Sequence, residues 1–226
     1  MSNAGKVLII GAGEFADIAY EYFSHDSEYD VVGFAVEAEF LDVSEKFGLP
    51  VIALEDAPAR FDPATVSAHV AITSTKLNQV RERLVGVARE MGYRLANYVS
   101  SKAFVWRTAS LGENVFIFEH NVVQHGVTIG DGVVLWSGNH IGHQSHIEEF
   151  CFLSSHVVVS GYCRIGRRSF IGVNTCLADH VELGSDSFVA IGSAVNKSFP
   201  EAGLLLTGHF AEASRVSSYR YCKVKP

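Results

Sequence analysis

The sequence predicts a chain in two parts, an α/β half-domain followed by an all-β parallel coil, and three observations carry that prediction. From Val105 every sixth residue is aliphatic: Leu111, Ile117, Val123, Ile129, Leu135, Ile141, Ile147, Leu153, Val159, Ile165, Ile171, Leu177, Leu183, Val189 and Val195 follow. Four residues after these aliphatics the side chain is small or β-branched, as at Ser145, Cys151, Thr175 and Ser187. Before the run, the apolar stretch Lys6 to Ile10 leads into Gly11-Ala12-Gly13-Glu14-Phe15-Ala16 and an amphipathic segment to about Phe23.

A sustained period of six is the signature of a parallel β-helix built from hexapeptide repeats. Each hexad supplies one short strand and a turn, and three hexads close a triangular coil of about 18 residues. The aliphatic fills the interior, the small residue fits a corner, and the Gly that often follows the aliphatic relieves a strained turn. Residues one coil apart then stack at roughly 4.8 Å, so the sequence can be read as columns.

Residues 5–98 follow a different pattern. Asp30 to Ala35 reads as a second strand, Val51 to Ala53 and His69 to Thr73 as shorter ones, and Lys76 to about Met91 as a helix. This is a Rossmann-like half with Tyr98 to Lys102 as its junction. The second part runs over 99–215, and 216–226 is a C-terminal tail.

Composition bounds the rest. The chain has 226 residues, 48% of them hydrophobic, enough for two small domains with real cores. Its net charge of −7 argues against nucleic acid as a partner, since no Lys/Arg cluster exceeds Arg167-Arg168. No apolar run approaches the roughly 18 residues that span a bilayer, and no signal-peptide pattern opens the chain. No membrane partner and a cytoplasmic location follow. Cys151, Cys163, Cys176 and Cys222 lack metal-ligand or redox spacing and read as reduced thiols.

The Gly11-x-Gly13-x-x-Ala16 turn sits where strand meets helix, so its backbone N–H groups and the helix N-terminus suit a diphosphate. Nucleotide or nucleotide-sugar binding, a bare structural turn, and a redox dinucleotide with Glu37 on its ribose all remain open. Too few residues precede Val105 for a complete dehydrogenase. Among ten histidines, His143 stands out as a general base. It shares a column with Arg107, His125, Gly161, Asp179 and Lys197, where side chains face outward, and Gly161 beside it leaves open space for a thioester. His125, one coil earlier, is the second candidate. His120-x-x-x-x-His125 resembles part of a zinc site, but the position two coils earlier that would supply a third ligand is Leu84, so no metal is expected.

With these residues in place, the chain resembles, over about 5–215, the bacterial sugar O- and N-acyltransferases of the NeuD/PglD type. The segments that carry the resemblance are Gly11 to Ala16, Val32-Gly33-Phe34, Ala71 to Arg81, Ile141-Gly142-His143-Gln144, and Gly161 to Asn174. The resemblance implies a left-handed β-helix and a homotrimer with active sites between neighbouring β-helices. It also implies acetyl-CoA as donor and a nucleotide-linked sugar as acceptor, acylated on an amino or hydroxyl group for surface glycan biosynthesis. By motif position, Gly11, Gly13, Glu14, Phe15 and Glu37 bind the acceptor and His143 is the base. Gln144 stands where the family often has Glu. Gly161, Val173 and Ile191 line the acyl-CoA groove, and Phe152 stands where the family has another His near CoA. The expected chemistry is direct transfer without an acyl-enzyme. A zinc lyase of the gamma carbonic anhydrase type and a non-catalytic β-helix assembly protein are the rival readings.

Overall fold

The computed structural model describes residues 5–208 and 215–224. Residues 209–214, assigned above to the second part, and 225–226 of the tail lie outside the described residues.

The first part is a small mixed sheet. Strands β1 (Gly5–Ile10), β2 (Tyr29–Val36), β3 (Glu45–Lys46), β4 (Leu49–Ala53) and β5 (Val66–Val70) lie in the order β3-β4-β2-β1-β5, parallel except for β3. Helices α1 (Glu14–His25), α2 (Ala57–Arg60) and α3 (Gln79–Glu90) complete it. β1 reads as a continuous apolar run because it is the buried centre of a parallel sheet. Several boundaries differ from the sequence reading, and two of them shape the loop after β5. β5 stops at Val70, and the chain then leaves the sheet as a loop. Helix α3 begins only at Gln79, because Lys76, Leu77 and Asn78 take left-handed φ of 50°, 50° and 65°.

The second part is a parallel β-helix. Each of the sixteen periodic aliphatics is the second residue of a two-residue strand, and they fill the interior together with residues four places later, Val115, Val127, Val133, Cys151, Val157, Cys163 and Val181. The strands stack in register one coil apart, for example Val122 on His140 and His140 on Val158. The glycine expectation needs correction. Gly142, directly after an aliphatic, has no left-handed φ; a Cβ there would lie 2.5 Å from the Ser160 carbonyl carbon, so close stacking of coils demands it. The left-handed residues come two places later in each hexad, from Asn114 through Gln144 and Tyr162 to Gly192.

The outward first residue of each strand gives each face of the prism a character. One face carries Tyr98, Phe116, Val134, Phe152, Phe170 and Phe188. The first part docks here: Phe15 and Phe23 of α1 pack on Phe116 with ring centroids 5.4 and 6.1 Å apart. Each such buried ring contributes about 2 kcal/mol of burial. Asp26, after α1, accepts hydrogen bonds from Tyr98, Ser100 and Ser101 across the same junction. A second face is polar, with Ser110, Thr128, His146, Arg164 and Glu182. The third shows Phe104, Val122, His140, Val158, Cys176 and Ala194, a mainly apolar face that no other element among the described residues covers, with Phe104 51% and Val158 42% exposed.

Candidate active site

The glycine turn forms the first half of the site. Gly11 has φ of 126°, and a Cβ there would meet the Ala71 carbonyl at 2.8 Å, so only glycine fits between β1 and the loop after β5. Gly13 caps α1, and a Cβ there would meet nothing within 4 Å. Above the turn opens a cleft of about 540 Å³ whose walls include Gly11, Gly13, Glu37, Phe40, Ile72 and Thr75. It lies outside the carboxyl ends of β1 and β2, where open α/β sheets bind ligands. Glu37 stands in the wall, accepting from the two terminal nitrogens of the Arg83 guanidinium at 2.7 and 2.8 Å. That pairing keeps its carboxyl below the usual range despite partial burial. Lys46, which no sequence motif singles out, donates to the Ala12 carbonyl at 2.7 Å and pairs with Asp17 at 2.5 Å, placing a cation at the turn.

Two expected acceptor contacts are not in this wall. Glu14 is an exposed first residue of α1. Phe15 points the opposite way, 3% exposed, packed on Phe116 and stacked 5.8 Å from Trp136. An aromatic at the second helical position faces the neighbouring coil because α1 docks on that side, so Phe15 joins the two parts and does not line the cleft.

The second half lies along the edge between the apolar and polar faces. The imidazole of His143 rests over Gly161: a Cβ on Gly161 would come within 2.7 Å of its Cε1 and 2.9 Å of its Nε2. The space expected beside the ring is thus filled by the ring itself. The Gly161 N–H donates to Asp179 Oδ1 at 2.8 Å, and the Tyr162 ring meets the imidazole edge-on at 5.1 Å. The His143 backbone N–H donates to Gln124 Oε1 at 2.9 Å, and Nδ1 lies 3.4 Å from the same oxygen. His125, one coil earlier, has its Nδ1 2.7 Å from the Thr108 hydroxyl. Gln144 does not support the imidazole. Its side chain lies over Gly126, where a Cβ would come within 2.6 Å of its Nε2, because the left-handed turn at residue 144 directs it back one coil.

Phe152, Val173 and Ile191 belong elsewhere. Phe152 lies on the docked face, stacked 5.5 Å from Phe170, and with Val173 it lines a cleft of about 370 Å³ closed by Thr73 and Ser74. Val173 and Ile191 sit one above the other on the edge between docked and apolar faces. The structure therefore brings His143 and Gly161 together, and Phe152 and Val173 together, on different edges of the prism. Among the described residues no three His, Cys, Asp or Glu side chains come together as a metal set. No helix among them is long and apolar enough to cross a membrane.

Residues 108–143 match the bacterial transferase hexapeptide family, six repeats. Acyl-(acyl-carrier-protein)-UDP-N-acetylglucosamine O-acyltransferases of Stutzerimonas stutzeri and Pseudomonas aeruginosa are each 30% identical over 114 residues, 45% of this chain and 44% of theirs. The chain thus spans less than half the length of these curated relatives. PerB from Caulobacter crescentus, solved with CoA and GDP-perosamine, is 25% identical, with a TM-score of 0.76 over 91% of this chain and 92% of PerB. A GDP-perosamine N-acetyltransferase from the same organism with one histidine replaced by alanine, again with CoA and GDP-perosamine, aligns at 25% identity. Its TM-score is 0.80, over 90% of this chain and 94% of that one. The acetyltransferase domain of PglB from Neisseria gonorrhoeae with acetyl coenzyme A shares the fold at 24% identity, with a TM-score of 0.79 over 90% and 96% of the two chains. The α/β half followed by a left-handed parallel β-helix is the architecture these likenesses share. Repeat, fold and likeness together bear out the resemblance drawn from the sequence, to the hexapeptide-repeat sugar acyltransferases of the NeuD/PglD type.

Proposed function

We propose that the protein transfers an acyl group, acetyl first among candidates, from CoA to an amino or hydroxyl group of a nucleotide-linked sugar, with His143 as general base. The observation that carries this reading is the imidazole of the exposed His143 laid over Gly161, with Nδ1 3.4 Å from the Gln124 amide oxygen. The CoA complexes of the similar enzymes support the donor, and their GDP-perosamine supports a nucleotide-linked amino sugar as acceptor.

His143 lies on the prism edge opposite the docked face, away from the glycine-turn cleft of its own chain. A second copy completes the site. If the uncovered apolar faces meet around a threefold axis, the edge bearing His143 in one subunit adjoins the edge bearing Val173 and Ile191 in the next. Burial of Phe104 would drive that contact. Beside Ser160 an apolar groove of about 240 Å³, floored by Val158, Cys176, Ala178 and Ala194, suits a pantetheine arm. The glycine turn and Lys46 suit the diphosphate of the acceptor.

In the reaction, the acceptor's neutral nitrogen or hydroxyl oxygen attacks the thioester carbonyl as Nε2 takes its proton. The C–S bond then breaks, and the imidazolium returns the proton to the departing thiolate. Holding both substrates across one cleft supplies much of the rate.

Incubation with acetyl-CoA and GDP-, UDP- and dTDP-linked amino sugars, with mass detection, tests this. A product one acetyl group heavier is expected with at least one acceptor. No product, together with no calorimetric binding of acetyl-CoA, would overturn the proposal and favour the assembly reading.

A further inference from the structure

Resting on the reading of His143 as base, we infer that Gln124, not Gln144, is the residue that orients its imidazole and fixes its tautomer. Gln124 directly follows the interior Val123, and its backbone N–H donates to the Ile141 carbonyl of the next coil at 3.0 Å. Directly above stands Gly142, which offers no side chain, so the Gln124 amide can reach up beside His143.

The backbone N–H of His143 identifies which end of the amide faces it. An N–H can only donate, so the atom 2.9 Å away must be the amide oxygen. The same oxygen lies 3.4 Å from Nδ1, and an amide oxygen only accepts, so Nδ1 carries the proton of the neutral ring. Nε2 is left with a bare lone pair. Thr108, the partner of His125, is a hydroxyl that can donate or accept, and it imposes no such tautomer on that ring. Gly161 completes the arrangement by leaving room for the ring in this orientation.

Gln124 is therefore a positioning residue, and an uncharged one. It sets direction without adding basicity, the part a carboxylate would play in raising the imidazole's proton affinity. The other titratable groups around the ring are Tyr162 edge-on, His180 stacked 4.9 Å beyond Tyr162, His125 one coil before and Asp179 two coils on, engaged by the Gly161 N–H.

The test compares Gln124→Leu, Gln124→Glu and His143→Ala in the full-length protein, using nitrogen-15 NMR of the His143 ring and pH-rate profiles. Wild type should show the Nδ1–H tautomer. Gln124→Leu should lose that preference and lower kcat about tenfold or more, with the KM for acetyl-CoA unchanged. Gln124→Glu keeps an acceptor for the backbone N–H but puts a negative charge beside Nδ1, so the imidazole pKa and the acidic limb should rise together by about one unit or more. Unchanged tautomer in Gln124→Leu, or an unmoved imidazole pKa in Gln124→Glu, overturns the inference. Retained turnover in His143→Ala would refute the base reading instead, while the NMR still decides what Gln124 does to the ring.

Discussion

The imidazole of His143 lies across the backbone of Gly161, one coil on in the same column, closely enough that a single added methyl group would meet its Cε1 at 2.7 Å. Gly161→Ala should therefore turn the ring away from Gln124 while leaving the coil intact, because residue 161 has no left-handed φ. A misplacement of this size costs about a hundredfold in rate. Steady-state kinetics should show that fall in kcat with the melting temperature nearly unchanged; an alanine variant at full speed would separate the ring's position from catalysis.

The two glycines of the turn should respond differently. A Cβ at Gly13 meets no protein atom within 4 Å, so Gly13→Val should fold normally, fill the cleft and raise the acceptor KM with the acetyl-CoA KM unchanged. Gly11→Ala strains φ and strikes the Ala71 carbonyl, so it should destabilise by about 1–3 kcal/mol. A Gly13→Val variant that loses acetyl-CoA affinity instead would move CoA into the first part.

Arg81 joins the parts from within. Its fully buried guanidinium donates to the carbonyls of Ile72, Thr73, Gly132, Phe150 and Cys151 and to Asn78 Oδ1, and burial lowers its pKa to about 9. Arg81→Met takes the donor from the Ile72, Thr73, Gly132 and Phe150 carbonyls, while Cys151 keeps its backbone bond from Val134, at a cost of about 3–5 kcal/mol. Because Ile72 also lines the cleft above the glycine turn, the acceptor KM should rise as well if that cleft holds the acceptor. Denaturant unfolding and kinetics on the one variant check both.

Stability should fall on mild acidification. His69 is buried between Phe23 and Phe116, its Nδ1 2.9 Å from the Ala96 carbonyl, and burial pushes its pKa down from 6.5 to about 4. Between those values the unfolded chain binds a proton that the folded one refuses. Stability should drop by about 3 kcal/mol as pH falls from 6.5 to 4 and draw little more from His69 below that. Asp26 extends the decline below pH 4: hydrogen bonds from Ser101, Tyr98 and Ser100 outweigh its partial burial and hold its carboxyl at about 2. Unfolding midpoints measured from pH 7 to 4 should flatten in His69→Leu.

The fold was largely legible in the sequence. The hexad rule places every interior aliphatic from Val105 to Val195, because a prism of fixed circumference leaves no freedom of register. The column containing His143 and Gly161 was legible for the same reason. What the sequence could not supply were side-chain directions at positions the repeat leaves free. Phe15 reads as a cleft residue from its motif, yet the docking of α1 turns it onto Phe116. Gln144 stands where the resemblance puts Glu beside the base, yet the left-handed turn sends its side chain to Gly126. The neighbour that does reach His143 is Gln124, a coil earlier, and only coil-to-coil stacking brings the two together.

The assignment of the base is tested most directly by the turnover of His143→Ala beside His125→Ala, with the assembly checked by sedimentation. His143→Ala should lower kcat by at least about a hundredfold with the oligomer intact, and His125→Ala should stay within about tenfold of wild type. Near-normal turnover in His143→Ala, or a larger loss in His125→Ala, would contradict it.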